Sequence, residues 1–184
     1  ARGSKAGVVE VMCWESALVS LDGNPTVAIR KRLTLRSSTD FTGKLRVTNL
    51  KATTAYSFSI GVRRGAFTTP QAPDAHTSAS GCSFVFGSCI GGQGYGRHRD
   101  TGFPIFNTMG ALKPDFFHCN GDCIYADNAV GAGPTTPWNK EWRNAVPAGV
   151  DVLPADQTLK GFRDRYKYHL QDEAYARFLA HTPL

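Results

Sequence analysis

Two short apolar runs in this chain each break off into side chains able to bind a metal. Phe84-Val-Phe-Gly-Ser-Cys89 is the first, and Asp115-Phe-Phe-His-Cys-Asn-Gly-Asp122-Cys-Ile-Tyr125 answers it some thirty residues later. Buried parallel strands read as such runs, and α/β sheets bind their ligands beyond the carboxyl ends of the strands. Cys89, Asp122 and Tyr125 are therefore expected on one rim, a thiolate, a carboxylate and a phenolate facing the same space. That arrangement is an active site rather than a core.

Each of these residues has a plainer role to set beside the chemical one. An isolated Cys is usually a small buried hydrophobe, but Cys89 follows Phe84–Phe86 and is matched by Asp122, and clustered ionisable groups mark sites. Asp122 after Gly121 could close a turn, yet turn duty leaves the Asp-x-x-Tyr spacing unexplained. Tyr125 could pack with a wet hydroxyl, and Asp127 and Asn128 read equally as turn residues or as an outer ring around the site. His118, inside the second run, reads as a hydrogen-bonded core residue. The loop Gly91-Gly-Gln-Gly-Tyr-Gly-Arg-His-Arg99 directly follows Cys89. Its amides with Arg97, His98 and Arg99 could hold a substrate phosphate, or the loop could be plain surface; the residue types leave both open. It lacks the Lys-Ser/Thr ending of a nucleotide-binding P-loop.

The elements that must position these groups can be read from pattern. Pro104-Ile-Phe-Asn-Thr-Met-Gly-Ala-Leu112 predicts a short helix between the two runs, with Pro in its first turn and Pro114 just past its end. Strand, helix and strand then form a βαβ unit. Residues 129–157 are rich in Gly, Pro, Asn and Thr and carry Trp138 and Trp142, which suggests a long functional loop, a lid or substrate wall. The tail predicts two helices. Leu159, Phe162, Tyr166 and Leu170 recur near 3.6 spacing as a buried stripe, and Asp172 caps a second helix that buries Tyr175, Phe178 and Leu179.

Ahead of this unit, Pro70-Gln-Ala-Pro-Asp-Ala-His-Thr-Ser-Ala-Ser80 is a linker by composition. Residues 8 to about 69 read as short strands: Val8–Trp14, Thr26–Arg30 after the turn Asp22-Gly-Asn-Pro25, Lys44–Thr48 and Ala55–Val62. Strands separated this way suggest a small β-sandwich. Leu50-Lys-Ala-Thr-Thr-Ala-Tyr56 resembles the tyrosine corner of fibronectin type III-like domains, in which the Tyr hydroxyl bonds back to nearby backbone.

Composition narrows the function classes. The 184 residues are 41% apolar, enough for a packed core, and no run approaches the ~20 apolar residues of a membrane helix. The chain begins Ala1-Arg-Gly-Ser, without Met and without a signal-peptide pattern, so a processed amino terminus is expected. The net charge of +6 lies entirely in residues 1–80, with eleven Lys/Arg against five Asp/Glu, while residues 81–184 carry ten of each. Such charge can draw anionic polymer or lipid, but it reads more simply as outward positions on solvated strands, and the missing aromatic interleaving argues against specific nucleic-acid binding. The five cysteines leave at least one without an intramolecular disulfide. Cys82 and Cys119 could pair across adjacent strands if the register allowed, although both read as small buried hydrophobes, and Cys119-x3-Cys123 alone is a poor zinc signal.

Taken together, Ser88-Cys89, Lys113-Pro-Asp-Phe-Phe117, Gly121-Asp-Cys-Ile-Tyr-Ala-Asp127 and Ala180-His-Thr-Pro-Leu184 resemble the PhoD-like alkaline phosphatases and phosphodiesterases of the metallophosphoesterase superfamily. Ser38-Thr-Asp-Phe-Thr-Gly43 and Gly65-Ala-Phe-Thr-Thr69 are similar to that family's amino-terminal sandwich. The resemblance implies a multi-domain β plus α/β chain: a fibronectin type III-like β-sandwich over residues 1–70, a linker over 71–80, and the first half of a metallophosphoesterase α/β sandwich over 81–184. It implies Fe3+ held by Cys89, Asp122 and Tyr125, with Asp122 bridging to Ca2+ or another divalent metal. A hard trivalent ion takes anionic oxygen and can hold thiolate, and water so activated hydrolyses phosphate esters. Phosphodiesters, including phospholipid head groups or wall polymers, and phosphomonoesters are the expected substrates of a secreted or periplasmic enzyme. Two departures stand out. Cys123 occupies a position often aromatic in the family, and the family's later Trp-Asp-Asp-His-Glu segment has no counterpart here. Residues 1–184 alone are therefore expected to be inactive, the chain being either a fragment of a larger enzyme or one piece of a nicked enzyme whose second polypeptide carries the remaining ligands. The competing class is a non-catalytic basic β-sandwich module that binds cell-wall or extracellular polymer.

Overall fold

The computed structural model describes residues 2–20, 23–26, 29–72, 75, 81–92, 96–131, 142–146, 152–153 and 158–184. The chain divides into two compact units, Ala1–Cys82 and Ser83–Leu184. Most of the linker segment, along with Asp22 and Trp138, lies outside the described residues.

The first unit is an antiparallel sheet of four strands, β1 (Gly7–Glu15), β2 (Ile29–Leu35), β3 (Ala55–Ile60) and β4 (Arg63–Thr68), in the order β2-β1-β3-β4. Val11, Leu33 and Leu35 form its core, joined by the half-buried Val9, Phe41, Leu45 and Ile60. The basic run Arg30-Lys-Arg32 lies exposed on β2, an edge strand, where charge discourages edge-to-edge pairing. β2 runs on through that basic segment to Leu35, beyond the Arg30 end that the sequence suggests. Lys44–Thr48, expected as a strand, joins no ladder among the described residues. Its alternation is nevertheless real: Leu45 and Val47 are half-buried and line an open apolar cleft of about 410 Å³ against Val11, Leu33 and Phe58, while Lys44, at the edge of that cleft, and Arg46 are exposed. Periodicity reports which side faces the core, not whether a neighbouring strand is there to pair. The tyrosine corner forms as anticipated, with the Lys51 amide donating to the buried Tyr56 hydroxyl at 3.0 Å.

In the second unit, β5 (Phe84–Gly87) and β6 (Phe116–Cys119) pair in parallel, Phe84 opposite Phe116 and Gly87 opposite Cys119. α1 (Pro104–Ala111) connects them, with Pro at its first turn. Phe117 faces a core of Ile90, Phe103, Phe106, Ala174, Tyr175 and Phe178. The opposite face is open: Phe84 and Phe86 are 55% and 65% exposed, and Phe84 stacks on Phe116 at 5.2 Å. His118 shares that open face, so it is exposed rather than a core residue, because period two turns Phe117 inward and His118 outward. With Cys119 opposite Gly87, a cross-strand pair with Cys82 has no register to form in, and Cys82 is exposed rather than buried.

Two further short strands, β7 (Val130–Gly131) and β8 (Val152–Leu153), pair antiparallel inside the segment read as a long loop. Val130 and Asn144 are fully buried there, and the Asn144 amide donates to Gly92 O at 2.7 Å and Gly131 O at 3.0 Å. Helices α2 (Leu159–Leu170) and α3 (Glu173–His181) complete the unit. Asp172 caps α3 as the sequence suggests, accepting from the Tyr175 amide at 2.9 Å. The buried face of α2 differs from expectation. Leu159, Phe162, Tyr166 and Leu170 are exposed, and Gly161, Arg165, Tyr168 and His169 face inward instead. Each inward polar group has a partner: Arg165 donates to Asn128 O, the Tyr168 hydroxyl to Ala145 O and Gly92 O, and His169 bonds Cys123 O. Satisfied polar groups can be buried, and apolar spacing alone does not register them. Finally, the Phe117 amide donates to Pro183 O at 2.7 Å, tying the closing segment to β6.

Candidate metal centre

The loops leaving the carboxyl ends of β5 and β6 are stitched together beyond the last ladder pair. The Asn120 amide donates to Gly87 O at 3.0 Å and the Ile90 amide to Asp122 O at 2.8 Å. Gly121 allows this approach, since a Cβ there would lie 2.6 Å from the Ser88 Cβ, 3.1 Å from the Cys89 amide nitrogen and 3.3 Å from Cys89 Sγ. Cys89 sits at φ +58°, a left-handed conformation that costs a side-chain-bearing residue about 1–2 kcal/mol. Burial of the next residue, Ile90, in the core helps hold it there. Strain of this kind concentrates where a side chain is aimed for function.

Cys89, Asp122 and Tyr125 do converge. The Tyr125 hydroxyl bonds the Cys89 sulfur, and this bond is the main cause that holds the thiol below its ordinary range. The Ser88 side chain and the Asp122 backbone bond the same sulfur and add to the effect, while desolvation and the Asp122 carboxylate oppose it. The reciprocal effect pushes Tyr125 up to about 12, chiefly through its bond to Cys89, then through desolvation and the negative charges of Cys89, Asp122 and Asp127. The phenol proton of Tyr125 thus favours the thiolate form of Cys89, beside a carboxylate. A cation has the same charge to offer, so the donor set fits a metal ion with mixed sulfur and oxygen affinity. Among the described residues no group of three or more His, Cys, Asp or Glu is placed to hold a metal ion.

Arg97, His98 and Arg99 lie on a different cleft, of about 310 Å³, lined also by Asn107, Gln171 and Arg177 and by none of the three converging residues. Arg97 is turned inward: Nε reaches Asp172 Oδ2 at 3.3 Å, Nη1 donates to Tyr168 O, and the guanidinium lies 4.5 Å over the Tyr168 ring. His98 packs edge-on against Trp142, with ring centroids 5.1 Å apart. Arg99 Nε reaches Asp100 Oδ1 at 3.2 Å on the surface.

Four residues that hold the site were not singled out from sequence. Gly121 and Ser88 were noticed only as neighbours of Asp122 and Cys89, although a Gly directly before a candidate ligand is a usable signal of close backbone approach. Asp172 was read as a helix cap, yet its other oxygen takes the Phe103 amide at 3.0 Å as well as Arg97, and so joins the loop after Cys89 to the helices. His169 supports Cys123 O at 3.0 Å, and burial pushes its pKa down to about 4, so the ring is neutral. No periodic signal marks either residue.

The family model for PhoD-like phosphatase matches residues 84–184. A solved structure of PhoD superimposes with a TM-score of 0.70 at 17% identity, covering 100% of this chain and 32% of its own. No curated protein matches the chain significantly. No helix among the described residues is long and apolar enough to cross a membrane.

Proposed function

This chain belongs to the PhoD-like phosphatase family, and on that premise we propose that it supplies part of a metal centre that hydrolyses phosphate esters. The observation that carries the reading is the shared rim of Cys89, Asp122 and Tyr125, with the thiol held below its usual range. Cys89, Asp122 and Tyr125 would hold Fe3+, with Ca2+ or another divalent ion as its companion. When bound, such ions activate water and draw negative charge from the phosphoryl oxygens. The residues of this chain do the rest locally: Gly121 lets the two loops nest, Ser88 and Tyr125 orient the sulfur, and the Ile90 amide fixes the carbonyl of Asp122. Arg97 has a structural share in this reading. His98 and Arg99 remain candidates for contact with substrate.

The first unit would be the fibronectin type III-like sandwich and the second the opening half of a metallophosphoesterase domain. The chain spans 32% of the PhoD chain it matches, so the complete activity belongs to a larger assembly in this proposal, and residues 1–184 alone would not turn over. The exposed Phe84, Phe86 and Phe116 support that idea, because parallel sheets bury both faces and an apolar patch of this kind marks a missing partner. Phosphodiesters and phosphomonoesters are both compatible substrates, and export from the cell suits the family. The test is reconstitution with a polypeptide carrying the remaining ligands, followed by visible absorption and hydrolysis of bis(p-nitrophenyl) phosphate. Cys89→Ala and Asp122→Asn should each abolish the charge-transfer colour and turnover. A colourless, metal-free complete protein whose binding to anionic polymer is unchanged in both variants would overturn the hydrolase in favour of an adhesive module.

A further inference from the structure

The sulfurs of Cys119 and Cys123 stand 3.7 Å apart, and both also approach Gly121 O, at 3.6 and 4.0 Å. Cys119 is the last residue of β6, its place set by the ladder partner Gly87. Cys123 is fixed from the other side by the bond between its carbonyl and His169 Nδ1 at 3.0 Å. Both side chains are half-buried, so a small reagent can reach them. Bonded sulfurs lie about 2.05 Å apart, which leaves roughly 1.7 Å to close. Between the two cysteines lie Asn120, Gly121 and Asp122, so a bond there would tie off the loop that bears Asp122.

We propose that Cys119 and Cys123 form a reversible dithiol–disulfide pair that staples the Asp122 loop. The oxidant is a low-molecular-weight disulfide. One protein thiolate attacks it, forming a mixed disulfide and expelling one thiol. The neighbouring cysteine then attacks the protein sulfur of that mixed disulfide, closes the Cys119–Cys123 bond and expels the second thiol. Two protein thiols lose two electrons and two protons, and the reagent's disulfide takes both.

The tryptic peptide 100–140 contains these two cysteines and no other, which isolates the measurement. The native chain is incubated with oxidised glutathione, capped with iodoacetamide, digested and weighed. The expected product is peptide 100–140 lighter by two hydrogens and uncapped, restored to two capped thiols by dithiothreitol. Cys123→Ser should stop at the glutathione adduct on Cys119. A wild-type peptide that stays doubly capped, or that keeps a glutathione adduct without closing, overturns the pairing whether or not the protein binds metal. The effect on the loop is read on the reconstituted enzyme and rests on the metal reading above. Oxidation should slow metal loss to a chelator by about tenfold, on the scale of residues that support a ligand, and Cys123→Ser should abolish that difference. Equal rates in the oxidised and reduced forms would overturn the staple's hold on Asp122 while leaving the chemistry of the pair to the mass measurement.

Discussion

Replacing Gly121 with Ala should damage the proposed metal site without unfolding the protein. The new Cβ would stand 2.6 Å from the Ser88 Cβ and 3.1 Å from the Cys89 amide nitrogen, whereas carbons in contact rest about 3.5–4.0 Å apart. Neither neighbour is the free end of a long side chain, so the loops themselves must separate by about 1 Å. That displacement stretches the Asn120–Gly87 and Ile90–Asp122 bonds and exceeds the ~0.5 Å tolerance of a ligand constellation. Overpacking of this size costs about 1–3 kcal/mol, and loss of ligand support typically weakens metal binding 10- to 100-fold. The assays are chelator competition on the reconstituted protein and urea denaturation. Gly110→Ala is the control: its Cβ would meet Phe178 Cδ2 at 3.6 Å, an ordinary contact, and an Ala in α1 should add up to about 1 kcal/mol of stability while leaving metal affinity unchanged. If Gly121→Ala binds metal as tightly as the parent, the nesting of the two loops is not what holds the site together.

Three further outcomes follow from the same contacts. Tyr56→Phe leaves the Lys51 amide without its acceptor and should lower stability by about 1–3 kcal/mol in urea melts; a change under 0.5 kcal/mol would deny the corner any anchoring role. Asp172→Ala removes the α3 cap, the Phe103 acceptor and the partner of Arg97 together, so it should cost on the order of 3–5 kcal/mol, well above the ~1 kcal/mol of a cap alone. His169 is neutral when folded because burial holds its pKa near 4, against about 6.5 unfolded. The unfolded chain therefore takes up the proton first as pH falls. Stability from this group is intact above pH 6.5 and drains away toward pH 4, by roughly 3 kcal/mol at most. His169→Asn should flatten that slope, and an unchanged slope would assign the acid sensitivity to other groups.

Local pattern carried several features of both units. The runs at 84–87 and 116–119, the Pro-started helix between them, the Asp172 cap and the Tyr56 corner are each decided by near neighbours in sequence, through strand composition, fixed φ, a single acceptor or one hydroxyl. Where burial depended on distant partners, the same patterns misled. The α2 stripe looked like a core face, yet the helix turns Tyr168, His169 and Arg165 inward because carbonyls from Asn128, Gly92, Ala145 and Cys123 await them. Lys44–Thr48 alternates correctly but finds no strand beside it among the described residues.

The residue types and order of the candidate ligands were legible without coordinates, because a thiol, a carboxylate and a phenol after two apolar runs is a statement about composition and strand ends. Their mutual contact was not. Convergence needed the parallel register, a glycine thin enough for two loops to touch, and a cysteine backbone held at positive φ by the core beneath it. The approach of Cys119 to Cys123 has the same origin. Spacing along the chain says how far apart two groups must stay at most; only packing across the chain decides how close they come.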